Sequence, residues 1–180
     1  MSLNRNAEAI DSFRAAAALA PKDPAAYRSA GIAAARMKDL PRALSFFDHA
    51  LRINPNSAES HRLRGKALGD LKRTADAFAA FDRALALDPR SAETHITRGQ
   101  LLLRTRRARE AIDAFNRALA LDPDNATAYL WLGDAHAKCG ETAQSLACWV
   151  NATRFDATGP DGKLARERLT NATTAMTRIE

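Results

Sequence analysis

Cysteine is scarce in this sequence, and long apolar runs are missing from it. Only two cysteines occur among 180 residues, and the spacing of Cys139 and Cys148 matches no metal-binding or redox motif. We interpret both as reduced thiols, because a disulfide framework needs more cysteines than this. No stretch approaches the roughly 18 apolar residues of a membrane helix, and no signal peptide opens the chain. We therefore expect a cytoplasmic protein with no membrane partner.

The sequence also lacks a block of charge of one sign. Its 27 basic and 21 acidic residues give a formal net charge of +6, and both signs are spread along the chain. This balance favours acidic partners, but there is no basic tail of the kind that wraps nucleic acid. Nucleic acid is therefore not an expected partner.

The densest basic run contains four arginines, Arg104, Arg106, Arg107 and Arg109. A patch for phosphate or for an acidic partner would explain the run, and so would a solvated turn. We favour the turn, because binding to single-stranded nucleic acid requires stacking aromatics among such charges and none is nearby.

What the sequence does contain is an internal repeat. The segment FDRALALDP at 81–89 returns as FNRALALDP at 115–123. A unit that cannot bury its apolar face alone must repeat the residues that contact its neighbours. We expect the recurring glycines and alanines to allow close helix packing, the aromatics to fill the space between helices, and the prolines to follow helix ends. The recurring positions are Pro21, Pro55, Pro89 and Pro123; Gly31, Gly65, Gly99 and Gly133; Ala9, Ala43, Ala77, Ala111 and Ser145; Ala16, Ala50, Ala84, Ala118 and Ala152; and Phe13, Phe47, Phe81, Phe115 and Trp149.

Helix starts are marked at the same period. Asp23, Ser57, Ser91 and Asn125 are residue types that cap helices, and Pro24 suits a first helical position. Each unit is therefore predicted to contain two helices joined by a short turn, for example over 58–71 and 75–87.

These residues resemble the tetratricopeptide repeats, a family whose period of about 34 residues equals the one seen here. The resemblance implies an all-α, right-handed solenoid of antiparallel helix pairs, forming one domain over 1–180. Its parts would be a half repeat at 1–23, full repeats at 24–57, 58–91, 92–125 and 126–159, and a capping helix at 160–180. The chain departs from the family pattern at Arg64 and Arg98, where leucine is usual, and at the turn residues Lys38, Lys72 and Arg106, where glycine is usual and Gly140 retains it.

Arg64 and Arg98 need either a partner or access to water for their charged heads. Acceptors recur at one phase on the second helices, at Asp48, Asp82 and Asn116. One hypothesis pairs the arginines with these groups across the packed helices, and the other leaves the guanidinium groups in solvent.

The two ends of the chain differ. Ala165, Leu169, Ala172, Met176 and Ile179 form one apolar stripe on an otherwise polar helix, which is typical of the sealed end of a solenoid. The segment 1–23 matches only the second half of a repeat. We therefore expect the chain to be part of a longer protein, and the uncapped N-terminal end to favour self-association.

No motif for catalysis is present, whether a nucleotide loop, a nucleophile elbow or a zinc motif. His61 and His95 stand one period apart at positions that Tyr27 and Tyr129 fill in other repeats, which indicates packing. His49 and His136 have no ligands at suitable spacing. We predict that the protein is not an enzyme and has no metal and no cofactor.

In the family that the chain resembles, the first helices line a concave groove that binds a peptide or a partner helix. The matching residues vary between repeats, as expected for a recognition surface, and they predict a partner with acidic and apolar groups. They are Arg28, Ile32, Arg36, Arg62, Leu63, Lys66, Ile96, Gln100, Leu103, Arg104, Leu130, Trp131, Asp134 and Lys138. The carboxylate clamp with which some members hold chaperone tails is absent, since residues such as Ile32, Leu63 and Glu93 stand at its positions in one register, and the other register also fails to reproduce it.

The sequence therefore predicts a non-catalytic scaffold for protein–protein interaction. The alternative is that the chain is the substrate-recruiting part of a larger enzyme, such as a transferase.

Overall fold

A computed structural model describes residues 22–177 of the chain. Within that range the backbone forms helices joined by short turns, and no strand occurs. The chain divides into two compact units, the first ending at Pro89 and the second beginning at Arg90. All but the last two residues of the half repeat predicted at 1–23 lie outside the described residues.

The first unit contains two helical hairpins. Its helices are α1 (Pro24–Arg36), α2 (Leu40–Ile53), α3 (Ala58–Asp70) and α4 (Thr74–Leu87). Each helix contacts the next, and α1 also contacts α3. The helices predicted over 58–71 and 75–87 are confirmed to within one residue.

The second unit continues the pattern and adds a final helix. Its helices are α5 (Ala92–Arg104), α6 (Ala108–Leu121), α7 (Ala126–Lys138), α8 (Thr142–Phe155) and α9 (Pro160–Thr177). Consecutive helices are again in contact, and α7 also contacts both α5 and α9. The predicted all-α class of paired helices is confirmed.

The four predicted caps begin the first helix of each repeat. Asp23 Oδ1 accepts from the Ala25 N–H at 2.9 Å, and Asn125 Oδ1 accepts from the Ala128 N–H at 2.9 Å. The hydroxyls of Ser57 and Ser91 accept from backbone N–H groups three residues further along. Each cap satisfies a donor that has no partner inside its helix, a contribution of about 1 kcal/mol.

The core of each hairpin is an aromatic ring pressed against a glycine of the first helix. Phe47, Phe81 and Phe115 are buried at 1% exposure or less, and Trp149 is buried in the same place. A Cβ built on Gly31 would lie 2.5 Å from Phe47 Cε1, and the other three glycines meet their rings at 2.5 to 2.8 Å. The packing roles predicted for the recurring glycines and aromatics are confirmed.

The turn inside each hairpin ends the first helix in a left-handed residue. Lys38, Lys72, Arg106 and Gly140 have φ of 66°, 61°, 62° and 78°. At each turn the next N–H reaches back five residues, as in Arg107 N to Leu102 O at 2.9 Å. This is the Schellman arrangement, in which a residue with a Cβ costs roughly 1–2 kcal/mol. Three of the four turns therefore carry backbone strain.

Arg64 pairs with Asp48, as one of the two hypotheses predicted. Its Nε donates to Asp48 Oδ1 at 2.7 Å, which joins α3 to α2. The analogous pairing of Arg98 stays a prediction.

A carboxylate that the sequence analysis missed fixes the start of α9. Asp156 accepts from the backbone N–H of Gly159 at 2.7 Å, of Asp161 at 3.0 Å and of Gly162 at 3.1 Å. A Cβ on Gly162 would overlap the carbonyl oxygen of Asp156, so only glycine allows this approach. The donation from Gly162, followed by those from Gly159 and Asp161, lowers the pKa of Asp156 from its ordinary value of 3.8.

Helix α9 occupies the place of a further first helix, because its first residue, Pro160, stands one full period after Ala126, the first residue of α7. Ala165 is buried, and Leu169 and Ala172 pack with it against Trp149 and Ala152. The other two members of the predicted stripe are the side chain of Met176 and all of Ile179, which lie outside what the structure describes. At the phase of the packing glycines α9 has Glu167, which is exposed.

The contact between ring and glycine can be tested by adding a side chain at the glycine and by replacing the ring with a smaller side chain. Gly99→Ala places a Cβ 2.6 Å from Phe115 Cε1, and we expect a loss of about 1–3 kcal/mol of unfolding free energy from overpacking. Phe115→Leu alone should also destabilise. Urea denaturation of the double variant should give less than the sum of the two losses, since the smaller side chain makes room. Strict additivity would contradict the contact.

Because the turns carry backbone strain, we expect glycine at a strained position to raise the stability of the protein. Arg106→Gly should stabilise the protein by about 0.5–1 kcal/mol, because glycine adopts positive φ without a steric cost. Gly140→Ala should have the opposite effect, since no atom lies within 4 Å of the added Cβ and only φ is penalised. Arg109→Gly, in the first turn of α6, is the matched control and should destabilise. Urea denaturation measures all three, and a loss with Arg106→Gly would contradict the strain.

The start of α9 should depend on pH. Because the folded-state pKa of Asp156 is lowered, its contribution is complete above the ordinary value of 3.8 and is lost as the pH falls through the folded-state value. Hydrogen exchange measured over a series of acidic pH values should show that the amides over 159–166 lose protection in that pH range. In Asp156→Ala the same amides should exchange fast at every pH. Equal protection in both proteins at neutral pH would contradict the cap.

Candidate interaction surface

The residues predicted to contact a partner lie on the first helices of the repeats, and regular spacing places them on one face of each. On α1, for example, Arg28, Ile32 and Arg36 are four residues apart, while Ala30, Gly31 and Ala34 are buried against neighbouring helices. Residues four apart share a helix face. We call these faces the first-helix faces.

In the first unit, α1 and α3 present a mainly basic face. Arg28 Nε donates to Glu59 Oε2 at 3.0 Å, which links the two helices, and the side chains are 27% and 50% exposed. Arg36 and Lys66 are exposed. These two cations are therefore the ones that a ligand on this face would meet first.

Three other predicted residues of the first unit are less accessible. Arg62 is only 8% exposed, so its guanidinium belongs to the packed side of α3 rather than to an open face. Ile32 and Leu63 are half-buried against the cluster around Phe47. A ligand would touch only their outer atoms.

In the second unit, the face of α5 and α7 is more apolar. Trp131, Gln100 and Leu103 are half-buried, with Arg104 and Lys138 exposed at the same ends of their helices. The tryptophan and leucine thus leave part of their apolar surface in solvent beside cations.

Leu130 and Ile96 do not have the exposure expected of contact residues. Leu130 is 1% exposed and packs with Trp149, Ala152 and Ala165, so it holds α7 against α8 and α9. Ile96 is 7% exposed. Burial removes both from the surface that a partner could reach in this structure.

Asp134 is engaged within the second unit. Its Oδ1 accepts from Trp149 Nε1 at 3.1 Å and from Arg168 Nε at 3.3 Å. The Thr127 hydroxyl donates to Asp161 in the same way between α7 and α9. Each of these two pairs joins residues one period of 34 apart, so the spacing is a signal of the contact that is present in the sequence.

Groups that could do chemistry have local structural roles instead. Among the described residues no cluster of three or more His, Cys, Asp or Glu side chains could hold a metal ion. His49 stacks on Tyr27, with ring centroids 5.0 Å apart, and His61 Nε2 lies 3.0 Å from Pro55 O. Burial raises the pKa of the Cys148 thiol to about 11, so it stays protonated at neutral pH.

The basic run between α5 and α6 is a solvent-exposed turn in which Arg107 has a carboxylate partner. Arg107 Nε donates to Glu110 Oε1 at 2.7 Å. This hydrogen bond lowers the pKa of Glu110 and raises that of Arg107. The exposure agrees with the solvated turn that we favoured. Within 22–177 no helix is long and apolar enough to cross a membrane.

Solved structures with the same arrangement of helices are known. The crystal structure of MamA protein matches with a TM-score of 0.69 and 18% identity, covering 86% of this chain and 84% of that one. MamA from Desulfovibrio magneticus RS-1, residue 41 to the end, matches with a TM-score of 0.71 and 22% identity, covering 84% and 86%. YrrB, described as a TPR protein with an unusual peptide-binding site, matches with a TM-score of 0.66 and 22% identity, covering 92% and 86%. At these identities the likeness is one of fold.

A comparison with curated proteins finds no match. The family model of the tetratricopeptide repeat matches residues 1–58, 50–92 and 96–160. These segments include the capped first helices, the glycines under the aromatic rings and the prolines after the second helices. The chain therefore belongs to the tetratricopeptide-repeat family.

Proposed function

We propose that this protein is a non-catalytic interaction module that binds a peptide or a partner helix on its first-helix faces. The observation that carries the proposal is the exposure of residues that the fold does not need. Packing positions repeat along the chain, whereas the positions of Lys66, Leu103 and Trp131 change from repeat to repeat, and these residues keep surface in solvent, as does Arg36. Peptide binding by YrrB, which shares the fold, supports the same use of the scaffold.

In the first unit, the first-helix face is suited to acidic groups. Arg36 and Lys66 attract acidic groups, and the outer atoms of Ile32 and Leu63 offer apolar contact beside them. The ion pair of Arg28 with Glu59 is partly exposed, and pairs of this kind contribute about 0–1 kcal/mol. A ligand carboxylate can replace Glu59 at low cost.

In the second unit, the first-helix face offers an apolar anchor. Trp131 and Leu103 are half-buried, so they are held in place by the fold while part of each side chain stays accessible. Tryptophan in such a position is the residue type most often found to dominate binding energy at interfaces. Lys138, exposed two helical turns beyond the tryptophan on α7, adds attraction for an acidic ligand.

The distribution of perturbed ionisable groups supports binding rather than catalysis. Active sites tune the pKa values of their acids and bases, and the tuned groups lie together in a cleft. Here the shifted pKa values of Glu110, Cys148 and Asp156 arise from an exposed ion pair, from burial and from a helix cap. Each shift has a local structural cause away from the first-helix faces.

Peptides selected from a random library should identify the ligand chemistry and test the surface. We expect the selected peptides to carry acidic residues, a large apolar residue, or both. Trp131→Ala should weaken the binding of peptides with a large apolar residue about 30-fold, the effect of about 2 kcal/mol that a hot-spot residue contributes. Arg36→Glu with Lys66→Glu should weaken the binding of acidic peptides to a similar extent and reduce its dependence on salt. Isothermal titration calorimetry measures both.

Matched controls separate binding from folding. Val150→Ala, an exposed apolar residue of α8, and Arg83→Glu, an exposed cation of α4, should leave the affinity within about twofold. All variants should keep the helical circular dichroism of the parent protein. Unchanged affinity in both test variants would place the site elsewhere on the molecule.

A further inference from the structure

A cavity in the first unit lies on a second helix, apart from the first-helix faces. It has a volume of about 530 Å³ and is formed by α2 and by the turn that follows α3. Ligand pockets commonly have volumes of about 300–1,000 Å³. The cavity is therefore large enough to hold one or two side chains of a partner.

One end of the cavity is apolar. Pro41 and Leu44 come from the first turns of α2, and Leu71 follows the end of α3. These residues meet because α2 and α3 run in opposite directions, so that the start of one lies beside the end of the other. Leu44 and Leu71 are half-buried and Pro41 is exposed, which leaves an apolar surface open to solvent.

The rest of the cavity is polar, and two of its charges are already neutralised. Asp48 is engaged by Arg64, and Arg73 donates from Nε and Nη2 to Asp76 Oδ2 at 2.9 and 2.6 Å. Arg52 is exposed and makes no ion pair with the described residues. The positive charge that remains unmatched in the lining is thus that of Arg52.

The repeat itself shows that packing does not require this arginine. One and two periods after Arg52 the chain has Ala86 and Ala120, and one period after Pro41 it has Ala75. A position that tolerates alanine in equivalent hairpins is free to carry another residue for another purpose. Leu44 and Arg52 do recur three periods later as Leu146 and Arg154, but Ala143 and Thr173 stand there at the phases of Pro41 and Leu71. The apolar end formed by Pro41, Leu44 and Leu71 together with an arginine is therefore particular to this cavity.

The spacing of these groups limits the ligand. Leu44 and Arg52 are eight residues apart on α2, which is about 12 Å along the helix axis at roughly 1.5 Å per residue. An extended chain covers this distance in three to four residues at about 3.3 Å each. A matching ligand therefore carries a carboxylate three or four residues from an apolar side chain.

We propose that this cavity is a second docking site, which binds an extended acidic segment of a partner protein. An apolar side chain of the segment lies between Leu44 and Leu71, and a carboxylate of the same segment pairs with Arg52. Charge complementarity favours this occupant, because the lining carries one unmatched positive charge. The site is independent of the first-helix faces, so a partner could engage both without competition between its two segments.

Two short peptides test the proposal directly on the ¹⁵N-labelled full chain. The probes are acetyl-Leu-Ser-Ser-Ser-Glu-amide and the same peptide with glutamine in place of glutamate. We expect the glutamate peptide to shift the backbone amides of Leu44, Arg52 and Leu71, with a dissociation constant on the order of 1 mM. The glutamine peptide should bind at least about threefold more weakly.

Variants assign that difference to one residue. Arg52→Gln should make the two peptides bind equally, whereas Arg83→Gln, an exposed arginine on the neighbouring second helix, should preserve the difference. Arg52 is exposed at the end of α2, so its replacement should leave the spectrum of the free protein intact outside the cavity.

Three results would overturn the proposal. They are equal binding of the two peptides to the parent chain, shifts confined to α1 and α3, and shifts at the cavity with inorganic phosphate but not with the glutamate peptide, which would indicate a general anion site. Shifts confined to α1 and α3 would support the function proposed for the first-helix faces while overturning the cavity site. Shifts confined to the cavity would support the cavity site, and the function of the first-helix faces is tested by the selected peptides. The two proposals therefore fail separately.

Discussion

The structure depends on the contact between an aromatic ring of each second helix and a glycine of the preceding first helix. No side chain fits between them, since a Cβ at Gly31 or Gly133 would lie 2.5 Å from ring atoms of Phe47 or Trp149. On the same helix as Phe47, the alanines Ala43 and Ala50 are also fully buried. This contact fixes how closely the two helices approach, and interiors packed at this density do not tolerate a change of even one methylene without cost.

The same constraint determines which residues are available to a partner. A first helix uses its small residues to receive the ring, and its remaining positions need no particular side chain for that purpose. Glu167 in α9 illustrates the reverse case, because a charged side chain stands where the ring of a following helix would need glycine. Helix α9 instead uses Asp161 and Arg168 to bind back onto Thr127 and Asp134 of α7.

Much of the fold could be predicted from the sequence, because the residues that pack the helices recur at a fixed period. Caps such as Asp23, the rings on glycine and the pairing of Arg64 with Asp48 all follow from residues one period or half a period apart. The exposure of the non-repeating positions could not be predicted in the same way. Arg62 and Leu130 share helix faces with exposed residues, and only the contacts made by neighbouring helices bury them. The cap by Asp156 was also missed, because Asp88 and Asp122 stand at the same phase while Gly159 and Gly162, which donate to Asp156, have no glycine one period earlier.

The ring and its glycine are close together along the chain in each hairpin, as Phe47 and Gly31 are, and this short separation has a consequence for how the chain folds. Closing so short a loop costs little chain entropy, and each further hairpin closes its own short loop rather than a longer one. Proteins dominated by such local contacts fold quickly and can begin at more than one place along the chain. Each hairpin can therefore serve as a folding nucleus, and neighbouring hairpins that fold against it are aligned by its packing positions.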